Sequence, residues 1–177
     1  PAIELFDHNI RQDWLDIALM YAETKLIVNN IYLYAPFGPL FQNRLRPAVY
    51  YDVLGTSGAR MTAWNRSSFY SGHAASAAAA SFFTVKVYCD YHPELIGWNK
   101  YLLYGAAAIP PLIEGYLRMK ALDHFPSDIL VGLGVGALCG ILIPEIHRIK
   151  FENVSMGLYS SYEGTGISLK WQPDFGK

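Results

Sequence analysis

The sequence predicts an all-α fold: a bundle of about five helices in a single domain over residues 1–177, with a C-terminal β-hairpin at 153–172. Three observations predict it. Apolar residues recur at three-to-four spacing through long stretches separated by Pro and Gly breaks, the pattern of helices buried along one face. Charged residues make up 16% of the chain and hydrophobic residues 52%, which is apolar beside the usual charged fraction of about a quarter. In the tail, apolar residues instead alternate with polar or small ones, the period of a strand.

Residues 1–11 read as an irregular lead-in. The chain begins at Pro1 without an initiator Met or a charged-then-apolar leader, as expected of a segment whose signal peptide was removed or of a fragment. Asp13 to Tyr34 carries Trp14, Ile17, Ala18, Tyr21, Leu26 and Ile31 at helical spacing, and Pro36, Gly38 and Pro39 break it. Residues 35–68 are the least regular part and include a Gly/Ser loop at Gly55-Thr56-Ser57-Gly58. A loop this long in a compact domain is usually functional or disordered. An alanine-rich helix is expected from His73 to about Asp90, with His92-Pro93 and Gly97 marking a turn. The next helix runs from Asn99 to about Lys120, kinked or split by Pro110-Pro111. The last runs from about Ser127 to Ile149, with Pro144 bending its end. In the tail, Val154, Met156 and Leu158, then a turn at Glu163-Gly164-Thr165-Gly166, then Ile167, Leu169 and Trp171 predict the hairpin.

Several function classes lose support at once. A net charge of −1 leaves no nucleic-acid footprint. Cys89 and Cys139 form no disulfide framework, and no CxxC or His-rich spacing suggests a metal site. Gly132, Gly134, Gly136 and Gly140 fall inside a helical apolar run with no preceding strand, so they predict close helix–helix packing rather than a phosphate loop. The uncharged runs 101–113 and 129–144 are shorter than the roughly 20 residues that span a bilayer, which suits core helices better, with spans whose polar end faces an interfacial active site as the alternative.

Chemistry concentrates in three places. Ser71-Gly72-His73 opens the alanine-rich helix, where unpaired N–H groups attract anions and a histidine can exchange a proton near neutrality. Arg118, His124 and Asp128 fall at a helix end, a short connection and the first turn of the next helix. The four-residue step from His124 to Asp128 lets the carboxylate reach back to Nδ1–H, leaving Nε2 as a nucleophile. Arg46-Pro47 offers a planar pair of donors suited to phosphate oxygens. Taken singly, these are a helix cap, a carboxylate complementing a helix dipole, and a solvated arginine.

Taken in order, Arg-Pro, then Ser-Gly-His, then Arg-x5-His-x3-Asp resembles the three-part signature of the type 2 phosphatidic acid phosphatase / vanadium haloperoxidase superfamily, over residues 40–143 with the motifs at 43–128. The resemblance implies roles by position. His124 would be the nucleophile that forms a phosphohistidine, and Asp128 would orient and polarise it. His73 would protonate the leaving oxygen and then activate water. Arg46, Arg118, Ser71 and the N–H of Gly72 would hold the phosphoryl oxygens. Two arginines and a helix N-terminus would neutralise the transferring group without a metal or other cofactor, with vanadate acting as phosphate mimic or inhibitor. The pattern departs from the family at three positions. Pro39 stands where the family has a Lys seven residues before the Arg, and Arg44, off register, could lean into the pocket instead. Tyr70 replaces a frequent Pro and Leu117 a frequent Ser.

The resemblance implies a phosphatase for phosphate monoesters or diphosphates, with a phosphorylated lipid or small phosphate ester as substrate. It also implies a membrane surface or bilayer as partner, and a membrane-associated or periplasmic place in the cell envelope. Tyr50, Tyr51, Trp64, Phe69 and Tyr70 suit a lipid-facing mouth. The alternatives are a vanadate-dependent haloperoxidase, which the missing Lys and short chain oppose, and a degenerate phosphate-binding member, which the intact Arg46, His73, Arg118, His124 and Asp128 oppose.

Overall fold

The alanine-rich helix α4 (Gly72–Tyr91) is the axis of the fold, and the reason is steric. Ala74, Ala75, Ala78 and Ala79 are fully buried, and a helix with only methyl groups at these positions admits neighbours on several sides. The computed structural model describes residues 13–36, 38–51 and 62–148, together with the backbone of 154–161 and 164–171. The expected lead-in at 1–11 and the Gly55–Gly58 loop lie outside the described residues.

Three long helices surround α4: α1 (Trp14–Tyr34), α5 (Trp98–Lys120) and α6 (Pro126–Arg148). Helix α1 runs antiparallel to it. The Tyr91 hydroxyl bonds Asp13 at 2.6 Å at one end, Tyr21 meets Phe83 in the middle with ring centroids 5.2 Å apart, and Tyr32 packs against Gly72 at the other. Helix α6 runs parallel to α4, and glycines let the two backbones nearly touch. A Cβ on Gly132, Gly136 or Gly140 would fall 2.5 Å from Ser71 O, 2.1 Å from Ala75 O or 2.6 Å from Ala79 O. The glycines therefore serve helix packing, as their place in an apolar run predicts. Val28, Tyr70, Ala75, Ala79, Cys139 and Ile143 form the main core between α1, α4 and α6, and Ile17, Phe83 and Val87 form a second cluster.

Helix α5 packs antiparallel on α4 and is continuous through Pro110 and Pro111, so the expected split does not occur. A proline at position i leaves the carbonyl at i−4 without its helical donor. For Pro111 that carbonyl belongs to Ala107, and the Ser81 hydroxyl of α4 donates to it at 2.6 Å. Helix α6 likewise runs through Pro144. Among the described residues α6 is the helix long and apolar enough, by length and composition, to cross a membrane. Far from the start of α4, buried Lys86 ties α4 to α6 by bonding Glu145 at 2.7 Å, and it also bonds Asp90.

The segment between α1 and α4 holds two one-turn helices, α2 (Pro39–Gln42) and α3 (Pro47–Tyr50), and a 3-10 turn at Trp64–Arg66. Pro39, at the usual Lys position, is the first residue of α2, where a missing N–H costs nothing. The C-terminal residues Ile146–Lys177 form a second unit. There the backbone of β1 (Val154–Ser161) lies antiparallel to β2 (Gly164–Trp171), with Val154 opposite Trp171. Its side chains lie outside the described residues, and the expected hairpin at 153–172 is not supported beyond this backbone pairing.

Candidate active site

The three sequence motifs meet at the end of the bundle where α4 and α6 begin. The Ser71 N–H donates to the Asp128 carbonyl at 3.0 Å, so the N-termini of these parallel helices are locked together. That bond brings the first turn of α4, with His73, and the residues leading into α6, with His124, to the same end. His73 is exposed there. Ser71 caps α4 with its hydroxyl, which accepts from the Ala74 N–H at 3.3 Å, and it is fully buried. Its side chain is thus committed to the helix. Gly72 is pressed against Tyr32, whose ring would lie 3.1 Å from an added Cβ. Gly72 and His73 head α4 at positions whose N–H groups have no intrahelical acceptor. Tyr70, where relatives often carry Pro, is a core residue, fully buried and edge-on to Tyr32 at 5.5 Å.

The Arg46 motif is held by backbone pairing with the strand-like stretch before α4. The Arg46 N–H bonds Asn65 O at 2.9 Å and the Ser68 N–H bonds Arg44 O at 3.1 Å. Arg46 is buried, its guanidinium stacked 4.1 Å from the centroid of the Trp64 ring and its Nε donating to Trp64 O at 2.9 Å. Its Nη1 donates to Asp123 at 3.2 Å.

Helix α5 ends in a Schellman turn that delivers the next residues to the site. The Leu122 N–H bonds Met119 O at 3.0 Å and the Asp123 N–H bonds Arg118 O at 3.1 Å, with Leu122 in the left-handed region at φ 57°. The turn sets Asp123 beside Arg118, whose Nη1 donates to it at 3.4 Å, while Arg118 Nε donates to Glu114 at 2.8 Å. Asp123 thereby bridges both arginines of the motifs. Asp123 and Glu114 carry no motif position, and sequence reasoning missed them.

His124 is 3% exposed. Its Nδ1 lies 2.6 Å from Ser68 O, which can only accept, so Nδ1 carries the hydrogen and Nε2 keeps its lone pair. Burial pushes its pKa below the ordinary 6.5 and nearby Arg46 adds to the fall; the Ser68 bond and the charges of Asp128 and Asp123 oppose it. The sequence expectation for Asp128 needs correction here. Its carboxylate is 3.9 Å from Nδ1, beyond hydrogen-bond range. Oδ2 instead accepts from the Phe125 N–H at 2.9 Å, the return bond of a capping box with Pro126 as first helical residue, and from the Ser68 hydroxyl at 2.5 Å. Asp128 therefore holds Ser68, and Ser68 holds the imidazole. Ser68 is fully buried and was also missed as a site residue.

Arg44 engages the first turn of α6. Its Nη1 pairs with Asp128 Oδ1 at 2.6 Å and with Ser127 at 3.1 Å, and its guanidinium lies 4.6 Å from the Phe125 ring centroid. Beside it is an open depression of about 430 Å³ lined by Arg44, Leu45, Tyr50, Tyr51 and Phe125. Among the described residues no three His, Cys, Asp or Glu side chains gather so as to hold a metal ion.

A helical bundle that gathers three arginines and a buried histidine at one end has the charge and the shielding to hold an anion of phosphoryl type. The chain is a member of the PAP2 superfamily, whose family model matches residues 14–152. Membership brings phosphatase- or haloperoxidase-type activity. Neither curated proteins nor solved structures yielded a match.

Proposed function

We propose that the protein is a metal-independent phosphatase of phosphate monoesters or diphosphates, acting on lipids through a phosphohistidine at His124. One observation carries this reading: a buried imidazole whose Nδ1–H is anchored on Ser68 O and whose ring feels the Arg46 charge, which favours the neutral form with a free lone pair on Nε2. Nε2 attacks phosphorus and the bond to the leaving oxygen breaks, with His73 supplying the proton. His73 then takes a proton from water, which attacks the phosphohistidine and frees inorganic phosphate. Arg46, Arg118 and the N–H groups at the head of α4 offset the charge on the equatorial oxygens.

The lipid part of the reading is supported by apolar side chains left exposed on three helices, among them Leu19 and Leu26 on α1, Leu112 and Ile113 on α5, and Leu130 and Leu138 on α6. Patches of this kind mark protein or membrane contact, and a membrane-associated place in the cell envelope follows. The test is phosphate release from lipid phosphates, isoprenoid diphosphates and p-nitrophenyl phosphate. Turnover inhibited by vanadate, lost by a factor of about 10³ or more in His124→Ala, and accompanied by an acid-labile phosphoenzyme is the expected result. Unchanged turnover in His124→Ala overturns the assignment.

A further inference from the structure

Asp123 is the acidic residue most directly engaged with the two cations of the site. Its carboxylate divides between them, Oδ1 on Arg46 Nη1 at 3.2 Å and Oδ2 on Arg118 Nη1 at 3.4 Å. These are the guanidiniums the phosphatase reading assigns to the phosphoryl group, and Asp123 immediately precedes the nucleophile. Each Nε already has another acceptor, Trp64 O for Arg46 and Glu114 for Arg118. A phosphoryl group bridging the two arginines must therefore displace the Asp123 carboxylate or bind next to it.

We propose that Asp123 is an internal anion of the site, which competes with the phosphoryl group for Arg46 and Arg118 and so limits how tightly the protein holds phosphate. This rests on the phosphatase reading. Two geometric facts favour competition over a strut that holds the site together. The Schellman turn that places Asp123 is made by backbone bonds, Leu122 to Met119 and Asp123 to Arg118, and needs no side-chain charge. Both arginines keep independent anchors at Nε, at 2.9 and 2.8 Å, shorter than their bonds to Asp123. The side chain is about a third exposed, so it has room to swing out when an anion arrives and to return as phosphate leaves. In functional terms, Asp123 favours product release over product retention, and it disfavours groups with the highest negative charge.

The test compares the full chain with Asp123→Asn, which keeps the shape and removes the charge, and with Asp123→Ala. Calorimetric binding of inorganic phosphate and orthovanadate gives a readout independent of turnover, and inhibition of p-nitrophenyl phosphate hydrolysis gives a second. Both variants are expected to bind the two anions about tenfold more tightly, as loss of one close, partly screened like charge implies, with KM falling alongside. Unchanged or weaker binding in the variants, with wild-type turnover intact, overturns the proposal and leaves the phosphatase reading standing. A wild-type protein that neither releases phosphate nor binds vanadate overturns both.

Discussion

His124 shows what a residue's surroundings add to its identity. In water its imidazole would be partly protonated at neutral pH, and a protonated ring has no lone pair to attack with. Burial and Arg46 shift it toward the neutral form. Because the folded-state pKa is depressed, the neutral form, which the proposed attack requires, persists to lower pH than for a free histidine. The acid limb of the kcat/KM profile for phosphate release should therefore fall below the ordinary 6.5, with activity lost as pH drops through that limb. A limb above 6.5 attributable to this group would contradict the burial seen here. The histidines, Asp128 and both motif arginines were visible in the sequence as candidates because their chemistry is specific to their side chains. Ser68 was not. It positions the imidazole through a carbonyl, which every residue has, so nothing in the residue type shows which carbonyl will face Nδ1. Asp128 was legible as a partner of His124 but not as an indirect one, since spacing cannot distinguish a 3.9 Å approach from a bond.

At the scale of elements, the long helices follow from apolar spacing and breakers, and the sequence signals fail where a neighbour intervenes. Pro110-Pro111 is a local break signal, but Ser81 on α4 supplies the donor that Ala107 O would otherwise lack, and α5 continues. That rescue is tertiary and has no local signature. The glycine series of α6 separates in the same way. Gly136 has Ala75 O where its Cβ would go, whereas Gly134 has nothing within 4 Å. Gly136→Ala is expected to destabilise the fold by about 2–4 kcal/mol, since helix backbones must move apart to relieve the clash. Gly134→Ala should be neutral or stabilising by up to about 1 kcal/mol, from helix propensity. Thermal unfolding of the two variants checks the pair. Equal effects would mean that α4 and α6 are not packed along this stripe. Because the same contact fixes the start of α4 against the start of α6, Gly136→Ala should also lower phosphatase turnover, and Gly134→Ala should not.

Across the whole molecule, polar and apolar surfaces have separate tasks. Arg44, Arg46, Arg118, His124 and Asp128 are gathered where α4 and α6 begin, while much of the outer surface of α1, α5 and α6 is leucine and isoleucine. Water does not stabilise that outer surface, and a single long apolar helix is a thin argument for insertion on its own. The combination is stronger: apolar faces on several helices surround one chemically polar end, which suits an enzyme whose substrate has a charged head and an apolar tail. Sequence composition hinted at this through its low charge, but the apolar runs alone looked like core helices. Only their exposure in the folded bundle separates the two cases. The protein is therefore expected to sediment with membranes, to resist a high-salt wash that would strip an electrostatically bound protein, and to enter the detergent phase on phase separation. Replacing exposed Leu19, Leu112 and Leu138 together by Gln should move it toward the aqueous phase. Because these side chains are exposed, the fold itself should lose little, roughly within 0.5 kcal/mol per site. If the triple variant instead unfolds, those side chains are buried against protein in solution, and a partner subunit rather than lipid covers them. If the wild type stays aqueous without detergent, the outer surface has no membrane role, and soluble phosphate esters become the substrates to pursue.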